Sequence, residues 1–131
     1  MISVPSVTAY LHAGITVRDL ERARRFYSDL LGLKEIARPD LGFPGIWYAI
    51  GNCQLHLMVP REGRPVGDPD GAFAGRVRHL ALGVEGWEAL TARLKAEGVP
   101  LRESAPTPGG PRRVFVKDPD GNVLELVEET P

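Results

Sequence analysis

The chain has 131 residues, 43% of them hydrophobic, which suits one compact domain with its own core. A net charge of −1 excludes a basic footprint for nucleic acid, and a single cysteine, Cys53, excludes an internal disulfide. No apolar run reaches the length of a membrane span, and MISVPSVTAY lacks a signal-peptide pattern. The expectation is a cytoplasmic protein without nucleic-acid or membrane partners.

Tyr10–Val17 alternates as a strand, with His12, Gly14 and Thr16 on one face. DLERARRFYSDLLGL then reads as one helix: Asp19 caps it, Leu20, Ala23, Phe26/Tyr27 and Leu30 recur at helical spacing, and Gly32 ends it. Short strands are predicted around Lys34–Arg38, Trp47–Ile50 and Cys53–Val59, the last two joined by a turn at Gly51-Asn52. Pro60–Gly75 reads as a polar linker or mobile loop.

The pattern then restarts. Arg78–Val84 is a predicted strand carrying His79, and EGWEALTARLKAEGV is a helix ended by Gly98. Strands follow near Pro100–Glu103, at Arg112–Lys117 and at Val123–Glu128. DPDGN turns the chain between the last two. The whole is a duplicated β-α-β-β-β unit: a first module of about 8–60, a linker of 61–76 and a second module of about 77–128, within one domain.

The repeat aligns His12 with His79 and His56 with Glu125. A lone strand histidine is more often a satisfied structural residue than a ligand, and a lone strand glutamate usually faces solvent. Here every histidine of the chain sits on a predicted strand, and all four residues pair by repeat position. Imidazole and carboxylate suit a divalent ion such as Zn, Ni, Mn, Co or Fe(II), with positions left open for a small-molecule substrate. Gln54 and Met58 share the His56 face. Trp47 or its neighbour Tyr48 faces the same cleft, with the register open. Arg112 and Arg113 could bind a substrate carboxylate or phosphate, although solvated strand-end charges are the commoner role. Phe43 is either a lid residue or a loop anchor, and Cys53 has no activating neighbour.

HAGITVRDLERARRFYSDLLGL, RHLALGVEGWEALTARLKAEGV and FVKDPDGNVLELVE resemble the vicinal oxygen chelate superfamily over about Thr8 to Glu128. This group includes glyoxalase I, fosfomycin-resistance transferases, extradiol dioxygenases, methylmalonyl-CoA epimerase and bleomycin-resistance proteins. The resemblance implies an α+β fold of two βαβββ modules, a cup-shaped mixed sheet with outer helices, usually in a homodimer. It implies a metal triad of His12, His79 and Glu125, with His56 at the variable fourth position. His56 and Glu125 are then the catalytic candidates, and Gln54, Met58, Trp47 and Arg113 the substrate-side ones. The implied activity is glyoxalase-type lyase or isomerase chemistry on a substrate that chelates the metal through neighbouring oxygens. An Fe(II) dioxygenase and a non-catalytic binding or fosfomycin-resistance-like protein are the alternatives. Glyoxalase I carries a glutamate where this chain has His56. A metal-bound imidazole lacks the lone pair a base needs, so His56 can move protons only off the metal.

Overall fold

The computed structural model describes residues 4–129 apart from 69, 72, 74, 75, 106 and 107. The first module contains β1 (His12–Thr16), α1 (Leu20–Arg24), β2 (Lys34–Ile36), β3 (Gly45–Ile50) and β4 (Cys53–Met58). The second contains β5 (Leu80–Val84), α2 (Trp87–Ala96), β6 (Leu101–Glu103), β7 (Arg113–Lys117) and β8 (Val123–Glu128). Each forms a four-stranded mixed sheet, in the orders β1-β4-β3-β2 and β5-β8-β7-β6. The expected α+β architecture is present, and its two sheets share one topology.

Alternation decides the faces. Ile46, Tyr48, Leu55 and Leu57 in the first sheet, and Val114, Val116, Leu124 and Leu126 in the second, belong to one buried core with Phe26, Tyr27, Trp87 and Leu94 from the helical segments. Residues of the other parity line the opposite, site-bearing faces. The parallel register places Gly14 beside His56 and Ala81 beside Glu125. His56 and Glu125 therefore occupy equivalent places in their sheets.

Several local expectations change. β1 begins at His12, and the ladder hydrogen bond from Gln54 N to Leu11 O marks its start (3.1 Å). His79 lies one residue before β5. The first helix is α-helical only to Arg24 and continues as a π-helical segment over Arg25–Leu30. Its Leu31 N–H reaches back five residues to Phe26 O (3.0 Å), and the neighbours Phe26 and Tyr27 are both buried. Asp19 caps α1 as predicted, accepting from Arg22 N (2.9 Å).

Two described residues of the linker, Asp68 and Gly71, are hydrogen-bonded to the second module. Asp68 N donates to Gly121 O (3.2 Å), and Lys117 Nζ donates to Gly71 O (2.7 Å) and Asp68 O (3.2 Å). Gly67 permits this: a Cβ there would lie 2.4 Å from Asn122 N.

The DPDGN turn joins the modules. Asp118 is buried, accepting from the Tyr27 hydroxyl (2.7 Å), Asn122 Nδ2 (2.8 Å) and the Asp120 and Asn122 amides (2.9 and 2.8 Å). Asp120 takes the Arg22 guanidinium (2.6 Å) and the Arg18 amide (3.2 Å), and Asn122 Nδ2 also reaches Thr16 O (2.9 Å). Desolvation holds the Asp118 carboxyl above its ordinary pKa despite these donors. The motif read as a turn is thus also a polar latch between the halves. Tyr27 lies 91 residues from Asp118, and no local pattern connects them.

Candidate metal and substrate site

Each sheet presents one pair of candidate donors. In the second module, His79 Nδ1 lies 2.7 Å from Val77 O. A carbonyl only accepts, so Nδ1 carries a proton and Nε2 is the remaining ring nitrogen. That nitrogen lies 3.1 Å from Glu125 Oε1. Either a second ring proton or a cation between the two must hold this contact. A backbone carbonyl on one nitrogen and an open partner at the other is how metal-binding histidines are oriented. Two donors at about 2.0–2.2 Å from one ion span such a distance when they meet it nearly at right angles. His79 and Glu125 therefore fit half of a divalent-metal site.

The first-module pair is built differently. His56 is buried and lies between two rings. Trp47 stacks on it at 4.1 Å between centroids and 3° between planes, and His12 at 3.9 Å and 17°. His56 Nε2 is 2.8 Å from Gln54 Oε1, so it carries the proton and leaves the lone pair on Nδ1. Burial depresses its pKa, with further lowering from His12 and Arg38. The stacking holds the two ring planes nearly parallel and face to face. His12 is thus presented as an exposed donor, with His56 held behind it.

Trp47 faces the site, whereas Tyr48 is buried and shares a hydrogen bond with Ser28 Oγ (2.7 Å). Met58 lies on the His56 face, packed over Gly14: a Cβ on that glycine would lie 2.9 Å from Met58 Cε. Cys53 opens β4 and contacts Tyr10 O (3.2 Å). Arg113 approaches Glu125 Oε2 (3.4 Å) and Ala105 O (3.4 Å), both long contacts. Arg112 is committed elsewhere, to Glu128 (3.0 and 2.7 Å) and Glu88 (2.6 Å), above the Trp87 ring.

Arg38 joins this set unforeseen: the strand predicted over Lys34–Arg38 ends at Ile36, and Arg38 lies two residues beyond it. Its Nη2 donates to Phe43 O (2.9 Å), its guanidinium lies over the Phe43 ring (4.9 Å), and its buried Nε has no partner.

Among the described residues, no three His, Cys, Asp or Glu side chains of one chain converge as a metal-binding group. The donors come as two pairs, one per sheet. A cavity of about 730 Å³ between β1, the linker and the start of β8 includes His79 in its wall but none of the other three donors.

Known proteins share the fold that carries these pairs. The lactoylglutathione lyase of Haemophilus influenzae is 30% identical over 127 residues, covering 90% of this chain and 90% of that protein. A solved member of the glyoxalase/bleomycin resistance protein/dioxygenase superfamily from Sphaerobacter thermophilus covers 94% of this chain and 98% of its own at a TM-score of 0.72 and 24% identity. The fosfomycin resistance protein FosX from Listeria monocytogenes, solved with Mn(II) and sulfate, has a TM-score of 0.72 at 21% identity and covers 95% of this chain and 93% of its own. The model of the Glyoxalase/Bleomycin resistance protein/Dioxygenase superfamily matches residues 9–126, and the chain belongs to that superfamily.

Proposed function

We propose that the protein is a metal-dependent lyase or isomerase of glyoxalase type. It acts on a small substrate whose neighbouring oxygens chelate a divalent ion. The observation that carries this reading is the His79–Glu125 pair, with Val77 O fixing the imidazole so that Nε2 faces the carboxylate. Relatives about 30% identical bear the name lactoylglutathione lyase.

His12, His79 and Glu125 would hold the ion. Because each sheet offers only a pair, two copies of the chain assemble the site, the first-module pair of one copy meeting the second-module pair of the other. The exposed apolar side chains of Val4, Val7, Tyr10 and Leu11, leading into β1, give a second copy a surface to cover. Among the described residues, each sheet also leaves the outer edge of β1 or β5 without a neighbouring strand.

When bound, the ion supplies Lewis acidity toward the substrate oxygens. The protein's part is positioning and proton handling. Gln54 keeps the proton on His56 Nε2, so Nδ1 is the atom that accepts a proton from substrate carbon. Trp47 and His12 confine that ring to one plane. Met58 and Trp47 provide the apolar lining.

The test is turnover of methylglyoxal–thiol adducts by protein loaded separately with Ni, Co, Mn or Zn, with metal content and oligomeric state measured on the same samples. Isomerisation by a metal-retaining dimer is expected. Silence across all four loaded forms sinks the reading. Oxygen uptake with catechols in the iron form replaces it with dioxygenase chemistry, and a protein that never retains metal is a binding module.

A further inference from the structure

We infer that the cleft selects substrates carrying an oxyanion group, a carboxylate or a phosphate, beside the chelating oxygens, and that Arg113 and Arg38 recognise it. This deepens the function proposed above and rests on its assignment of the two donor pairs to one cleft.

Each donor pair has an arginine beside it. Arg113 is on β7 opposite Val127, two residues along β8 from Glu125. Its side chain is 30% exposed, and both of its acceptors stand at 3.4 Å. At that distance the hydrogen bonds are weak, and a guanidinium has five N–H donors to place. Arg113 is therefore partly desolvated without being committed. Arg112 next to it shows the opposite condition, with two carboxylates between 2.6 and 3.0 Å.

Arg38 occupies the corresponding region of the first sheet. Its Nε lies where a Cβ on Gly45 would be only 2.9 Å away, so the missing side chain at Gly45 gives the guanidinium its seat. Gly45 is opposite Met58, two residues from His56, or about 7 Å along β4. The Arg38 guanidinium holds one carbonyl and one aromatic face and has no carboxylate partner among the described ion pairs.

Charge counting gives the sign. Arg113 and Arg38 set two guanidinium charges against Glu125, the one carboxylate of the donor set, an excess of one positive charge before any ion is added. A divalent ion raises that excess to three. Two other acids lie on this side of the second module: Asp68 lines the cavity that also includes His79, and Glu129 lies over Gly83, four residues or about 13 Å along from His79. A cleft of this charge favours an anion, and planar guanidinium groups match carboxylate and phosphate oxygens two at a time.

Three probes with the same hydroxy-ketone but different charge test this: hydroxyacetone, hydroxypyruvate and dihydroxyacetone phosphate. Dissociation constants are measured by calorimetry on the metal-loaded dimer, at low and high salt. At least one anion should bind tenfold or more tighter than hydroxyacetone, with the preference shrinking in salt. Whichever anion binds more tightly identifies carboxylate or phosphate as the recognised group. Arg113→Gln and Arg38→Gln should each reduce the preference, and Arg113→Lys should restore part of it while circular dichroism stays unchanged. Equal affinities for neutral and anionic probes, or an unchanged preference in both Gln variants, overturns the inference. If the wild type retains no metal, the functional reading fails by itself. Inorganic phosphate titrated into the metal-free protein then decides this one: binding weakened by Arg113→Gln or Arg38→Gln supports it, and binding unaffected by either overturns it.

Discussion

The two modules share a topology, yet they hold their repeat-equivalent donors by different physics. In the second, a backbone carbonyl orients His79 and a carboxylate faces its free nitrogen. In the first, two flat rings enclose His56, and an amide oxygen occupies its Nε2. The second pair is arranged electrostatically for a cation. The first is arranged by stacking, which fixes a plane without directing a lone pair at a shared point. The repeat sets the residues at equivalent positions, and each half surrounds them with different partners.

The largest effect expected from this asymmetry is in metal binding. Glu125→Ala removes the only anionic donor of the four and should lower metal affinity by more than about 100-fold, beyond the roughly 10–100-fold typical of losing an outer partner. His56→Phe keeps a flat ring between Trp47 and His12 and should change affinity by less than about tenfold. Metal titration calorimetry compares them, and an equal loss in both would place His56 on the ion and erase the distinction.

Next comes the latch between the halves. Asp118→Ala leaves the Tyr27 hydroxyl and several amide donors of the turn without their buried acceptor. At about 1–3 kcal/mol for a buried group left unsatisfied, a loss of about 3 kcal/mol is expected in denaturant unfolding. A loss below about 1 kcal/mol would mean that each module stands without the latch.

A smaller change is expected from Trp47→Ala, which opens one face of the His56 stack. It should cost about 1 kcal/mol beyond the lost apolar area and leave the His79–Glu125 half untouched. Imidazole proton resonances of the metal-free protein report this directly: His56 and His12 should shift while His79 stays in place. Movement of all three would show that the halves are not separable.

The least of these effects is in pH. Burial, His12 and Arg38 hold His56 below its ordinary value of 6.5. The unfolded chain then binds more protons than the folded one as pH falls below 6.5, so stability declines through that window and levels off below the folded value. Chelator-treated protein unfolded across roughly pH 5 to 8 should show this slope, and His56→Phe should flatten it. An identical slope in the variant would assign the dependence to another group.

Much of the fold was legible in the chain. The duplicated β-α-β-β-β order, the Asp19 cap and the placement of His56 and Glu125 at equivalent sheet positions follow from alternation and repeat spacing. The positive φ of Gly32 and Gly98, both 74°, follows from their place at the ends of helical segments. These are local properties, and local sequence encodes them. The break to π-helix at Arg25 left no such mark, because the same apolar spacing serves either helix. Composition read residues 60–75 as a polar linker or mobile loop and gave no sign that Asp68 and Gly71 within it bond to Gly121 and Lys117, far along the chain.

The sequence by itself determined which residues the repeat pairs: three strand-associated histidines and Glu125 at equivalent positions of the two modules. Only the tertiary structure decided how they are grouped and what each is free to do. It brought His12 against His56 and His79 against Glu125, turned Trp47 toward the site and Tyr48 away, and seated Arg38 over Gly45. It also bound the DPDGN turn to Tyr27. The physical reason is that strand alternation fixes a side chain's face, whereas ring stacking, tautomer and charge pairing depend on neighbours that only folding brings together.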